Sequence, residues 1–248
     1  GFEVAVPVWE DGLKEGFDVN DLVLRDGREG LKRFVLGAPF LHPWDKSPWA
    51  SALINGDAWG SYRQPSFLVD GFLTEGSVNL FFGASGCLKS MMLLDLCAHV
   101  AAGRPWLGHN TRKTPVIWIN IDNPDGVLFD RLRALRETHG FGTEDFQVLN
   151  YPLPRMNLLD SADIVKIKWM VERWGTGLVA LDCFQSSHNG DAWTEEAGRV
   201  LYNLREVIGG GRLVINVIHH ENKQGGARGS SSIDNLADTV YHVERPDM

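Results

Sequence analysis

Residues 77–103 read SVNLFFGASGCLKSMMLLDLCAHVAAG, a short β-prone run, a glycine-bearing turn and a helix-prone stretch. The turn, Gly83-Ala84-Ser85-Gly86-Cys87-Leu88-Lys89-Ser90, sits where a strand hands over to a helix. That order is the setting of the G-x-x-x-x-G-K-[ST] phosphate loop. Backbone N–H groups ring an anion, a helix N-terminus stands behind them, a lysine reaches the β- and γ-phosphates, and a hydroxyl ligates Mg²⁺. Gly83, Gly86, Lys89 and Ser90 meet those demands, while Leu88 stands where the pattern has its second glycine. A side chain at Leu88 must point away from the phosphates or crowd the loop. The plainer reading is a glycine-rich turn that caps a helix.

The surrounding texture agrees with a layered α/β domain. Apolar, partly β-branched runs recur at 77–82, 115–121, 146–150, 177–182 and 212–218, with a last one at 236–244. Helix-period stretches at 89–103, 125–139, 161–174 and 195–208 fall between most of them. Continuous apolar strands alternating with amphipathic helices predict a mostly parallel central sheet with helices on both faces. This domain is expected over 67–248. Residues 39–66, rich in Pro and Trp, read as a linker or irregular wrap, and 1–38 as a short polar segment with one helical pattern.

Two predicted strands end on carboxylates. GLVALD ends at Asp182, where a strand-end acid facing a phosphate loop would hold a water on Mg²⁺; a turn cap is the alternative. PVIWINID ends at Asp122, which could orient the water attacking a γ-phosphate, or share in capping the next helix with Asn123 or Asp125. RLVINVI runs into His219-His220, and adjacent strand residues face opposite ways, so at most one can sense a phosphate directly. A satisfied buried histidine is the competing reading. The glycine-rich segment 221–232 carries Lys223 and Arg228 and suits a cation offered to a neighbouring phosphate site, a nucleic-acid backbone contact, or a solvated loop. Phe67, Phe72 and Tyr241 are conceivable stacking partners for a base.

Composition bounds the rest. Twenty-four basic and thirty-two acidic side chains give a formal charge of −8, which argues against a surface coated in nucleic-acid-binding charge but not against a few basic loops. Three cysteines, Cys87, Cys97 and Cys183, form no CxxC pair, so a disulfide framework and a thiolate zinc site are not indicated and a reducing cytoplasm is expected. No run of about 18 apolar residues is present, so no membrane partner is expected. A chain opening on Gly1 suggests an excised fragment.

Taken in order, FLVDGFLTEGSVNLFFGASGCLKS, VIWINIDNPDGVLFDRLRAL, GLVALDCFQSS and VIHHENKQGGARGSSSIDNLADTV resemble RecA-like ATPases of the hexameric helicase group, in the plasmid RepA-type and phage primase-helicase branch. The resemblance covers about residues 67–244. It implies an ATP- and Mg²⁺-dependent motor that forms a ring, expected to be a hexamer, on single-stranded DNA in a bacterial or phage-infected cytoplasm. It further implies that Lys89 and Ser90 are the phosphate and Mg²⁺ residues, Asp182 the Walker B acid, and Asp122 the stand-in for the usual catalytic glutamate. His219 or His220 would be the polar sensor, and Arg228 an arginine finger for the adjacent protomer. Separately, DVNDLVLRDGREGLKRFV resembles the tail of a Toprim primase domain, which implies a primase domain on the same longer chain.

Overall fold

The computed structural model describes residues 66–121, 123–150, 156–187, 195–221 and 236–245. The N-terminal helical pattern, the Pro/Trp-rich stretch up to residue 65, Asp122, Lys223 and Arg228 lie outside the described residues. The chain divides into two units, Gly1–Arg63 and Gln64–Met248, and every described residue belongs to the second.

A small antiparallel pair, β1 (Phe67–Val69) and β2 (Leu73–Thr74), precedes the main sheet. The main sheet holds β3 (Val78–Gly83), β4 (Val116–Asn120), β5 (Phe146–Asn150), β6 (Leu178–Asp182), β7 (Val214–His220) and β8 (Thr239–His242). Their spatial order is β5-β4-β6-β7-β3-β8, and every pairing is parallel. Parallel neighbours need crossovers, and the four α-helices among the described residues supply most of them: α1 (Lys89–Ala102), α2 (Asp125–His139), α3 (Ser161–Trp174) and α4 (Glu195–Ile208).

The apolar runs are continuous because both faces of the sheet are covered. On one face Phe81, Trp118, Ala180 and Ile218 pack with Leu93, Leu94 and Cys97 of α1 and with Leu128 and Leu135 of α2. On the other, Leu80, Ile117, Val179 and Val217 pack with Ile164 and Ile167 of α3 and with Leu201 and Leu204 of α4. Neighbours in sequence thus alternate between two cores. Each fully buried side chain of this size contributes roughly 1.5–3 kcal/mol relative to exposure. Strand β5 is half-buried along its whole length, as befits the sheet edge.

The helices stop where glycine permits it. Gly103, Gly140 and Gly175 follow α1, α2 and α3 with φ of 69°, 75° and 59°, a left-handed conformation that turns the chain and satisfies terminal carbonyls. The β-strands then deliver their C-terminal ends to one edge of the sheet. Gly83 of β3 lies opposite His220 of β7, and Asn120 of β4 lies opposite Asp182 of β6. All the strand-end groups singled out from the sequence and described in the structure therefore gather along one rim.

Candidate functional site

The loop from Gly83 to Ser90 leaves β3 and enters α1 under tight steric control. A Cβ on Gly83 would stand 2.2 Å from the Val243 carbonyl oxygen, so only glycine fits beside the end of β8. Gly86 has φ +81° with open space around it, so its requirement is conformational. Leu88 has φ 70° and ψ 21°, which is left-handed backbone on a residue with a Cβ. This explains why the motif has glycine there. Leu88 is 62% exposed, so it is not buried within the loop, and it stands at the margin of the cavity beside it.

Leu88 is also the N-cap of α1 and supplies no side-chain acceptor, and the first turn contains no acidic residue. A helix start of this kind presents N–H donors and positive potential to an incoming anion. Lys89 is buried, with its ammonium donating to the carbonyl oxygens of Gly83 and Ala84 at 2.8 Å each and lying 3.7 Å from Cys87 Sγ. The cation is thus stored inside the loop on neutral acceptors.

A cavity of about 260 Å³ opens beside this loop. Ser85, Gly86, Lys89 and Ser90 line it from the loop side, and Asp182, Asn123, His220 and Arg131 from across it. Asp182, buried at the end of β6, accepts a 2.6 Å hydrogen bond on Oδ2 from the Asn123 amide. Asn123 is in turn held by Asn120, whose Oδ1 accepts from the Asn123 backbone and side chain at 3.3 and 3.2 Å. The Asn120 amide donates to the Asn123 carbonyl at 2.8 Å and to Asn150 Oδ1 at 2.7 Å. The chain of amides holds the carboxylate in place beside the cavity.

The two histidines part company here. His220 lines the cavity, with Nε2 3.9 Å from Cys183 Sγ. His219 is fully buried in the opposite direction, edge-on to Phe184 with ring centroids 4.9 Å apart. The alternation of β7 therefore brings only one of the pair to the site. Asn123 is not the cap of α2 either, since Pro124 occupies the N-cap and Asn123 is spent on Asp182. Phe72 and Tyr241 pack on each other at 4.6 Å, and the Tyr241 hydroxyl donates to the Phe72 carbonyl. Tyr241 also stacks on Phe81, so these rings serve the core.

Arg131 and Asn120 were not foreseen. Arg131 sits in the second turn of α2, among other arginines of an amphipathic helix, and nothing in the spacing marks it. Asn120 carried a signal, a buried amide ending an otherwise apolar strand.

A phosphate loop leaving β3, the first strand of the parallel sheet in chain order, with the acid-bearing strand β6 separated from it by β7, defines a RecA-like P-loop ATPase domain. Residues 46–226 match the AAA domain family AAA_25, and the chain belongs to that family. No curated protein matches it. Among solved structures, a KaiC-like protein from the hyperthermophilic archaeon Pyrococcus horikoshii is similar at 16% identity and a TM-score of 0.47, over 71% of this chain and 76% of that one. Among the described residues no helix is long and apolar enough to cross a membrane.

Proposed function

We propose that this ATPase domain is an Mg²⁺-ATP-dependent motor that assembles into a ring, a hexamer by the resemblance of its motifs, and moves on single-stranded DNA. In this reading it is the helicase part of a primase-helicase. The observation that carries the reading is the stored Lys89 ammonium at an uncapped helix start, facing Asp182 and His220 across one cavity. Charge-assisted bonds to phosphate are stronger than the bonds to the Gly83 and Ala84 carbonyls that they would replace. Ser90 and Asp182 would hold Mg²⁺, which neutralises charge on the β- and γ-phosphates when bound. His220, beside Gly83 in the sheet, is the residue we assign to sensing the γ-phosphate. Asp122 would position the attacking water, and Arg228 would act on the neighbouring protomer's nucleotide.

ATP turnover with and without single-stranded DNA, compared between the chain and Lys89→Ala, tests this. Turnover is expected to be stimulated by DNA and abolished by the substitution; unchanged turnover in Lys89→Ala would remove the proposal. Arg228→Ala should bind ATP normally yet lose roughly 10³-fold or more in turnover, as arginine fingers do. A second reading is a RecA-fold ATP-binding regulator or assembly factor, and the net charge of −8 favours it by giving little general attraction for DNA. DNA-independent turnover with no strand displacement on a forked duplex would select that reading.

A further inference from the structure

Away from the cavity, three side chains meet between the middle of α1 and the end of α2. Asp95 and His99 stand one helical turn apart on α1, and His139 is the last residue of α2. One ligand atom from each lies within 4.8 Å of the others. Asp95 Oδ1 is 3.4 Å from His139 Nε2 and 3.7 Å from His99 Nε2. These separations exceed the 2.7–3.2 Å of ordinary N–H···O bonds. The first matches, and the second exceeds by a few tenths of an ångström, the spacing of about 3.3 Å between ligand atoms placed tetrahedrally about an ion with bonds of about 2.0–2.1 Å.

The surroundings fit the same purpose. Trp106 donates its indole N–H to Asp95 Oδ2 at 3.0 Å, which orients the carboxylate and leaves Oδ1 facing both imidazoles. The two histidine rings lie 4.1 Å apart between centroids. The side chains of His99, Asp95 and His139 are 18%, 34% and 11% exposed, so a water can complete the coordination from the surface. Arg104, whose guanidinium donates to the Thr138 carbonyl at 3.1 Å, is the opposing charge nearby.

We propose that Asp95, His99 and His139 form a binding site for a borderline divalent transition ion, Zn²⁺ by ligand type. Bound there, the ion ties the helix that begins at the phosphate loop to the helix that carries Arg131. This site does not depend on the nucleotide reading, and its test uses no ATP.

The untagged chain, stripped with chelator, is titrated with Zn²⁺ by calorimetry and with Co²⁺ by visible absorption. One equivalent is expected to bind, with the d–d bands of a low-coordinate Co²⁺ site and a rise in melting temperature. His139→Ala and His99→Ala should abolish those bands, Trp106→Phe should weaken binding roughly 10–100-fold, and Arg104→Gln should tighten it severalfold. Absence of saturable binding, or full Co²⁺ binding in both histidine variants, would overturn the site. Should a variant fail to fold, X-ray absorption on the wild-type Zn²⁺ form decides: two imidazoles in the coordination shell support the assignment, and none refutes it.

Discussion

Leu88→Gly isolates the cost of the leucine in the phosphate loop. A residue with a Cβ at φ 70° and ψ 21° carries about 1–2 kcal/mol of steric penalty that glycine does not. Glycine returns part of that gain, about 0.4–1 kcal/mol, through the greater freedom of its unfolded chain. The side chain is 62% exposed, so its removal forfeits little burial. The net expectation is stabilisation by roughly 0.5–1 kcal/mol, or a rise of about 1–4 °C in melting temperature for a domain of this size. Leu88→Ala is the control, because alanine keeps the Cβ and therefore the penalty; it should fall within about 0.5 kcal/mol of the parent. Urea and thermal melts of the three proteins give the answer. Equal stability of the glycine and alanine variants would show that the left-handed loop is not the ground-state conformation. A destabilised glycine variant would show that the leucine makes contacts its exposure denies.

Other perturbations probe the frame of the domain. Asn79 donates to Asn216 Oδ1 at 2.9 Å between the buried faces of β3 and β7, so Asn79→Leu strands a buried amide and should cost about 1–3 kcal/mol, whereas the double change to leucine should recover much of it in a double-mutant cycle. Burial pushes the Glu75 carboxyl up, but hydrogen bonds from Arg212 and Ser66 and the charge and hydrogen bond of Arg112 outweigh it, leaving it below its ordinary value. Its folded form is thus the easier to ionise. The contribution is complete above the unfolded value of about 4.5 and is lost as pH falls through the lower folded one. Glu75→Gln should be less stable at pH 7 and show a shallower acid limb in pH-dependent melts; an unchanged limb would contradict the clamp. Burial and the Asp95 charge raise the Cys97 thiol far above its usual range, so alkylation at pH 8 should leave Cys97 unmodified until the chain unfolds, as read by mass spectrometry.

The order of elements was legible because parallel strands buried on both faces must be written as short apolar runs, and helices between them as stripes. The four helices begin at Lys89, Asp125, Ser161 and Glu195, where the periodic stretches began. Strand ends were less sharp: the run read at 212–218 is a strand at Val214–His220, since Arg212 is drawn outward to Glu75 and the two histidines continue the ladder. What stayed hidden depended on facing. Period-two geometry says that His219 and His220 diverge, but which one meets the cavity follows from the register of β7 against β3, and no local pattern encodes that register.

Long-range juxtaposition was hidden for a deeper reason. Asn123 reads as a helix cap because Asn before an amphipathic stretch usually is one, and it changes employment only because β4 and β6 are neighbours that place Asp182 within reach of its amide. His139 reads as a basic residue at a helix C-terminus, a favourable place for one by the helix dipole alone, until the packing of α2 on α1 sets it against Asp95. In both cases the local role is chemically sufficient, so a sequence gives no hint that a second role exists. A residue whose local explanation fails, such as Leu88 in place of glycine, announces itself. Residues whose local explanation succeeds are the ones for which only the fold reveals what else they touch.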